Sequence, residues 1–229
     1  MKTVIKQVQG FKMHAREGTT DESAIKRCIT QKCWFKPRSG FIPQPGERWL
    51  ELGANIGAFT VNAIAHGAHV TAFEPVPDNA AVLRANIVAN NYTDRATVNE
   101  SAVTWSGEAV PFYLPAKERN HYRCSVFAQR GWQRVDVKFT RFDSIDLSKF
   151  DGIKMDMEGA EIEVLEQVKT WGRVQKLAFA YHFANDRSTP RYRAIIERLR
   201  RTFRVTAPTI RGEVFSGFPD DKHVFCQRL

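Results

Sequence analysis

Glu51-Leu52-Gly53-Ala54-Asn55-Ile56-Gly57-Ala58-Phe59-Thr60 follows a short apolar run, Trp49 to Leu52, and leads into a helical stretch over 58–66. A glycine-bearing turn between a strand and a helix lets the backbone approach a ligand with no Cβ in the way. The spacing is GxxxG. Dinucleotide binders use GxGxxG, in which the extra glycine makes room for a pyrophosphate, so a ligand without phosphates is expected here. Glu51, just before the turn, can attract a cationic group on that ligand, directly or through water. Glu74 closes the next strand, 21 residues after Gly53, where a carboxylate can accept both hydroxyls of a ribose. Pro75 and Pro77 stop that strand, and Asp78 is placed to cap the helix that follows. An adenosyl ligand with an amino-acid tail in place of phosphates is S-adenosylmethionine (SAM).

Outward from this turn, strand and helix patterns alternate. Strands are expected over 49–52, 70–73, 97–104, 152–155 and 177–182, with 203–206 and 223–226 closing the sheet. Helices are expected over 58–66, 78–90, 160–171 and 190–203. The last is strongly amphipathic, with Tyr192, Ile195, Ile196, Leu199 and Phe203 on one face. The pattern predicts an α/β fold: a mostly parallel, seven-stranded sheet with helices on both faces. Ligands of such sheets sit beyond the carboxyl ends of the strands. Extra β-structure, an insertion over 110–142, is expected at 110–114, 124–128 and 135–140.

Residues 1–45 read as an N-terminal extension covering the active site, and 46–229 as the main domain. Within the extension, 4–14 is extended and 21–35 helical. Thr19 and Glu22 have capping-box spacing, and Ile25, Cys28 and Ile29 form an apolar stripe. Pro37, Gly40, Pro43, Pro45 and Gly46 then break the chain. Trp34 and Phe35 are candidates either to line an acceptor pocket or to pack into the core.

Composition narrows the class. The 229 residues are 43% hydrophobic and 26% charged, which fits a globular domain and argues against wholesale disorder. Formal net charge is +9: +6 over residues 1–45, −2 over 46–180 and +5 over 181–229. The insertion is also basic. The four cysteines, Cys28, Cys33, Cys124 and Cys226, have no CxxC or metal-ligand spacing, and read as reduced thiols of a cytoplasmic protein. The first 16 residues lack the apolar core of a secretory signal, and no apolar run approaches the roughly 18 residues of a membrane span.

Four pieces of the chain resemble the FkbM family of SAM-dependent methyltransferases: Glu51 to Thr60; Phe73-Glu-Pro-Val-Pro-Asp-Asn79 with Leu83 and Asn86 after it; Ser101-Ala102-Val103; and Ile153-Lys-Met-Asp-Met-Glu-Gly-Ala-Glu161. The last is the most specific, being similar to K-x-D-x-E-G-x-E. The resemblance implies a class I, Rossmann-like methyltransferase fold and action on hydroxyl oxygens of small molecules or sugars. Carried over residue by residue, Glu51, Gly53, Asn55, Gly57, Phe59 and Thr60 surround the methionine part of SAM. Glu74, with Pro75 beside it, holds the ribose, and Ser101 and Ala102 flank the adenine. For Phe59 a plain core role is the alternative.

Asp156 ends the fourth strand, beside the expected position of the transferable methyl. Glu158 follows two residues on and points the same way if the chain stays extended. Methyl transfer from SAM needs orientation and the removal of one proton, so Asp156, Glu158 and His182 are the candidate catalytic residues. The alternatives are that Asp156 orients substrate and that Glu158 or Glu161 caps the next helix. His182, after Tyr181, departs from the family pattern, which is acidic near this position. Asp156, His182 and Asp186 converge at one sheet edge, but no metal is assigned.

The acceptor is expected to be a small molecule or sugar, and the basic flanks and insertion lean it towards an anionic one. A nucleic-acid methyltransferase, for example of RNA ribose 2′-O, is an alternative, with Tyr122, Phe127 and Trp132 among arginines as a stacking surface. The Asp156-Met-Glu-Gly segment lacks the Asn/Asp-Pro-Pro-aromatic pattern of exocyclic-amine enzymes, and no cysteine follows a proline as a cytosine-C5 nucleophile would. A third alternative is a SAM-binding protein without catalysis.

Overall fold

The computed structural model describes residues 2–36, 40–105, 112–115, 131–180, 189–206 and 223–229. The N-terminal segment is a hairpin, β1 (Thr3–Val8) and β2 (Phe11–Arg16), rather than one extended run, because Gln9 and Gly10 both take positive φ and turn the chain. Helix α1 (Asp21–Ile25) runs into a π-helical turn (Lys26–Thr30). The helix expected to 35 therefore stops at Thr30. The capping box does not form: the N-cap is Thr20, with no side-chain cap, and Thr19 Oγ1 instead accepts from Asp21 N at 3.2 Å.

The main sheet contains β3 (Arg48–Leu52), β4 (His69–Phe73), β5 (Ala96–Asn99), β10 (Gly152–Met155), β11 (Lys176–Ala180), β12 (Phe203–Thr206) and β13 (His223–Arg228). Their order across the sheet is β12-β13-β11-β10-β3-β4-β5. All neighbours are parallel except β13, which runs antiparallel between β11 and β12. The expected third strand splits. β5 stays in the sheet, while β6 (Ala102–Thr104) leaves it to pair with β9 (Phe139–Arg141), and Ala102 N donates to Lys138 O at 2.8 Å. A second ribbon joins β7 (Phe112–Pro115) to β8 (Trp132–Val135). The strand read at 124–128 lies outside the described residues.

Helices α2 (Ala58–Ala65) and α3 (Pro77–Ala89) cover one face of the sheet, and α4 (Glu161–Gln167) and α5 (Thr189–Leu199) the other. On α5, the face of Tyr192, Ile195, Ile196 and Leu199 is buried, as the sequence pattern predicts. Asp78 lies inside the first turn of α3 rather than at its cap; Val76 is the N-cap and Pro77 the first helical residue, with its φ already set for a helix. Helix α2 is apolar nearly all round because it is covered twice. Phe59, Ala63 and Ile64 face the sheet, while Ala58 and Val61 meet Met13, Ala15, Ile25 and Ile29 of the N-terminal segment.

Three asparagines, Asn79 and Asn86 on α3 and Asn90 at its C-cap, seven and four residues apart, attach the hairpin. Asn90 Oδ1 accepts from Lys12 N at 3.0 Å, Asn86 Oδ1 accepts from His14 N at 2.5 Å, and Asn79 Oδ1 accepts from the Arg16 side chain at 2.7 Å. Alternate residues of a strand share an edge, so the free backbone edge of β2 is closed by side chains rather than left to pair with another chain. Among the described residues, no helix is long and apolar enough to cross a membrane.

Candidate functional site

The turn after β3 is folded onto its neighbours. Gly53 N and Ala54 N both donate to Phe73 O at 3.0 Å, fixing the turn to the end of β4. Gly53 has φ +80°, and a Cβ there would lie 2.0 Å from the carbonyl oxygen of Asp156. The glycine is thus required both by its backbone conformation and by the close passage of the segment after β10. Gly57 is the left-handed N-cap of α2, pressed against Leu83.

These elements border a cleft at the carboxyl ends of β3, β4 and β10, the edge where ligands of such sheets sit. Gly53, Asn55, Glu74, Pro75, Ser101, Ala102, Asp156 and Glu158 all line it. Glu51, Gly57, Phe59 and Thr60 lie beneath it instead. Phe59 packs in the core, with ring centroids 5.7 Å from Trp49 and 5.6 Å from Phe35. Thr60 is buried and donates its hydroxyl to Glu51 Oε2. Trp34 and Phe35 are also core residues, each 3% exposed. His182 and Asp186 lie outside the described residues.

Glu74 is buried under the turn. Its Oε2 accepts from Asn55 N at 2.7 Å, and its Oε1 accepts from Val76 N at 3.0 Å and Asn79 Nδ2 at 3.1 Å. Burial pushes its pKa up, against the pull of these three donors. A carboxylate offers about four lone-pair sites, so the described contacts leave room for one ribose hydroxyl rather than two. Ser101 Oγ is 2.8 Å from Thr140 Oγ1, which ties the far wall of the cleft to β9.

On the other side stands a buried charge cluster. Lys154 Nζ donates to Gly53 O at 2.7 Å and lies 3.5 Å from Glu51 Oε1 and 3.8 Å from Asp156 Oδ2. Burial acts to lower the lysine, but Asp156 and Glu51 outweigh it and its pKa rises. Burial also raises Glu51, to about 7, against the pull of Lys154 and Thr60. Lys154 Nζ sits 5.0 Å over the Trp34 ring, which in turn lies 4.0 Å from the His223 ring. Burial pushes His223 down to about 4. Glu158 has φ +52° and Gly159 φ +111°, so the chain turns after Asp156 and the extended path expected there is absent. Glu161 is fully buried and accepts from Gly159 N at 3.0 Å.

Sequence reasoning did not assign Asn79, Val103, Thr104, Met157 and Ala160 to this cleft, nor His223 to the cluster beside it. Asn79 stood within the Phe73–Asn79 motif and could have been found there. His223 had no local signal, because the pairing of β13 with β11 brings it to this edge.

Residues 51–205 match the methyltransferase FkbM domain. The chain belongs to the FkbM methyltransferase family. An 81-residue stretch is 38% identical to the 31-O-demethyl-FK506 methyltransferase FkbM of Streptomyces tacrolimicus, covering 34% of this chain and 30% of that FkbM protein. Solved structures share the fold at low identity. The Pyrococcus horikoshii protein PH0793 matches with a TM-score of 0.53 and 13% identity, over 98% of this chain and 70% of that one. TYW2 of P. horikoshii, solved in complex with MeSAdo, matches with 0.51 and 12%, over 98% and 69%. The Pyrococcus abyssi tRNA (uracil-54, C5)-methyltransferase, solved with S-adenosyl-L-homocysteine, matches with 0.51 and 10%, over 100% and 45%. The fold of this FkbM-family chain is that of class I SAM-dependent methyltransferases.

Proposed function

We propose that this chain transfers the methyl group of SAM to a hydroxyl of a small molecule or sugar, with an anionic acceptor favoured. The observation that carries this reading is the cleft itself: it runs from Glu74, under the glycine turn, to Asp156 at the end of β10. Its residues fit SAM. Asn55 Oδ1 is buried in the turn with no hydrogen-bond partner among the described residues, and so has an acceptor to offer the amino-acid tail. The apolar Phe73, Ala102 and Val103 suit an adenine.

In this reading Glu74 accepts a ribose hydroxyl, Ser101 and Ala102 border the adenine, and Gly53 and Asn55 border the amino-acid tail. Glu51 and Lys154 support the turn from below. When bound, SAM supplies a methyl group already activated by its sulfonium. The chain then has to align an acceptor oxygen with that methyl and take up one proton. Asp156, at the end of β10, would take up the hydroxyl proton as the acceptor oxygen is methylated. A carboxylate can do this only late, as charge leaves the oxygen, because its own pKa lies far below that of an alcohol.

The Streptomyces relative's name describes O-methylation of a small molecule, which supports the same acceptor class here. The tRNA-modifying neighbour shares only 10% identity and bears on the fold alone. Calorimetry with SAM and S-adenosylhomocysteine tests the first half of the proposal; no binding of either would end it. Labelled SAM incubated with fractionated extract tests the second half. Label is expected in a small-molecule fraction, and label in RNA or DNA would replace the acceptor assignment.

A further inference from the structure

Beyond the cleft, the N-terminal hairpin reaches the ribose acid through a chain of buried side chains. Arg16 ends β2, outside the stretch that matches the family. Its Nε donates to Asp21 Oδ2 and its Nη2 to Asp21 Oδ1, both at 2.9 Å, and Nη2 also donates to Asn79 Oδ1 at 2.7 Å. Asn79 Nδ2 then donates to Glu74 Oε1 at 3.1 Å. Arg16, Asp21, Asn79 and Glu74 are each at most 5% exposed.

We infer that Arg16 is a positioning residue for cofactor binding, orienting Asn79 so that its amide N–H faces Glu74 and aims that carboxylate at the ribose. This rests on the SAM reading of the cleft. An amide side chain can present either its oxygen or its nitrogen to a neighbour. A guanidinium only donates and a carboxylate only accepts, so the two charged groups on either side of Asn79 permit one orientation. Without Arg16, Asn79 Oδ1 loses its buried donor and the amide is held only from the Glu74 side, so its aim at that carboxylate loosens. A buried Arg–Asp pair adds little stability over apolar residues of the same size. Its position one amide away from the ribose acid gives it a use that stability does not.

The test is calorimetry with S-adenosylhomocysteine and its 2′-deoxy and 3′-deoxy analogues. The Arg16→Met variant leaves Asp21 buried and unpaired, so Arg16→Met combined with Asp21→Asn is made as well. That pair removes both charges and keeps an acceptor for Arg16 N, which now donates to Asp21 Oδ2 at 2.9 Å. Either variant is expected to weaken S-adenosylhomocysteine about tenfold, the scale of a hydrogen bond to a charged group. The weakening should shrink to about twofold for the analogue lacking the hydroxyl that Glu74 accepts, and also in a Glu74→Gln background, as expected of coupled residues. A merely structural role would weaken all three ligands alike, and that result overturns the inference. Unchanged affinity in the variants, with Glu74→Gln still weakening the ligand, overturns it too while sparing the SAM reading. If Glu74→Gln itself changes nothing, the ribose role of Glu74 falls and this inference falls with it.

Discussion

Gly53 and Asp156 meet where the first and fourth sheet crossovers touch, and each carries a prediction. Gly53→Ala places a methyl 2.0 Å from the Asp156 carbonyl on a residue at φ +80°, which is expected to cost on the order of 3 kcal/mol in denaturant unfolding and to abolish SAM binding by calorimetry. Asp156→Ala leaves the turn untouched. It should lower turnover by at least about 100-fold and change the affinity for S-adenosylhomocysteine by less than about twofold; an active variant would exclude Asp156 as proton acceptor. Gly53, Glu74 and Asp156 were legible in the sequence because a turn, a strand end and a spacing are local properties. Phe59 and Thr60 belong to the same motif, yet they face the sheet and Glu51 rather than the cleft. Motif membership could not separate them, because α2 is buried on nearly every side and its sequence shows no preferred face.

Strands β3 and β13 bring two titratable groups of opposite behaviour to the same end of the sheet. Glu51 is raised from 4.5 to about 7. The folded state therefore favours its protonated form, and stability present below pH 4.5 is lost as pH rises through 7. His223 is lowered from 6.5 to about 4, so stability present above pH 6.5 is lost as pH falls through 4. Each effect is on the order of 3 kcal/mol, and between pH 4.5 and 6.5 they largely cancel. Thermal melts should show this. Glu51→Gln should give a protein whose stability climbs from pH 4 to 6.5, and His223→Asn one whose stability falls from pH 4.5 to 7. Glu74, also raised by burial, adds to that fall. Matching slopes in the two variants would contradict the assignment. On α3, Asn86→Ala leaves His14 N and Ile56 O without their side-chain partner and should cost about 2–3 kcal/mol. The strands and helices of the main sheet followed from their patterning. The split of β5 from β6 did not, because it depends on the bond from Ala102 to Lys138, 36 positions along the chain.

Over the whole molecule, the N-terminal segment is a structural wall and not an appendage. Met13, Ala15, Ile25 and Ile29 cover Ile56, Val61 and Val82, so a chain lacking the hairpin should melt at least about 10 °C lower and bind S-adenosylhomocysteine more weakly. An unchanged melting temperature would show that the hairpin does not complete this core. The +9 charge is unevenly distributed: residues 46–180, which hold the cleft-lining residues, sum to −2, and the excess lies in the flanks. By itself the sequence determined the α/β class, the glycine turn, the carboxylate at the end of β4 and the carboxylate after β10, since hydrophobic period and short motifs act over a few residues. Only the tertiary structure decided which motif residues border the cleft, placed Lys154, Trp34 and His223 beside Asp156, and joined Arg16 to Glu74 through Asn79. Those contacts link residues up to about two hundred positions apart, and burial rather than local pattern fixes their hydrogen bonds and charges.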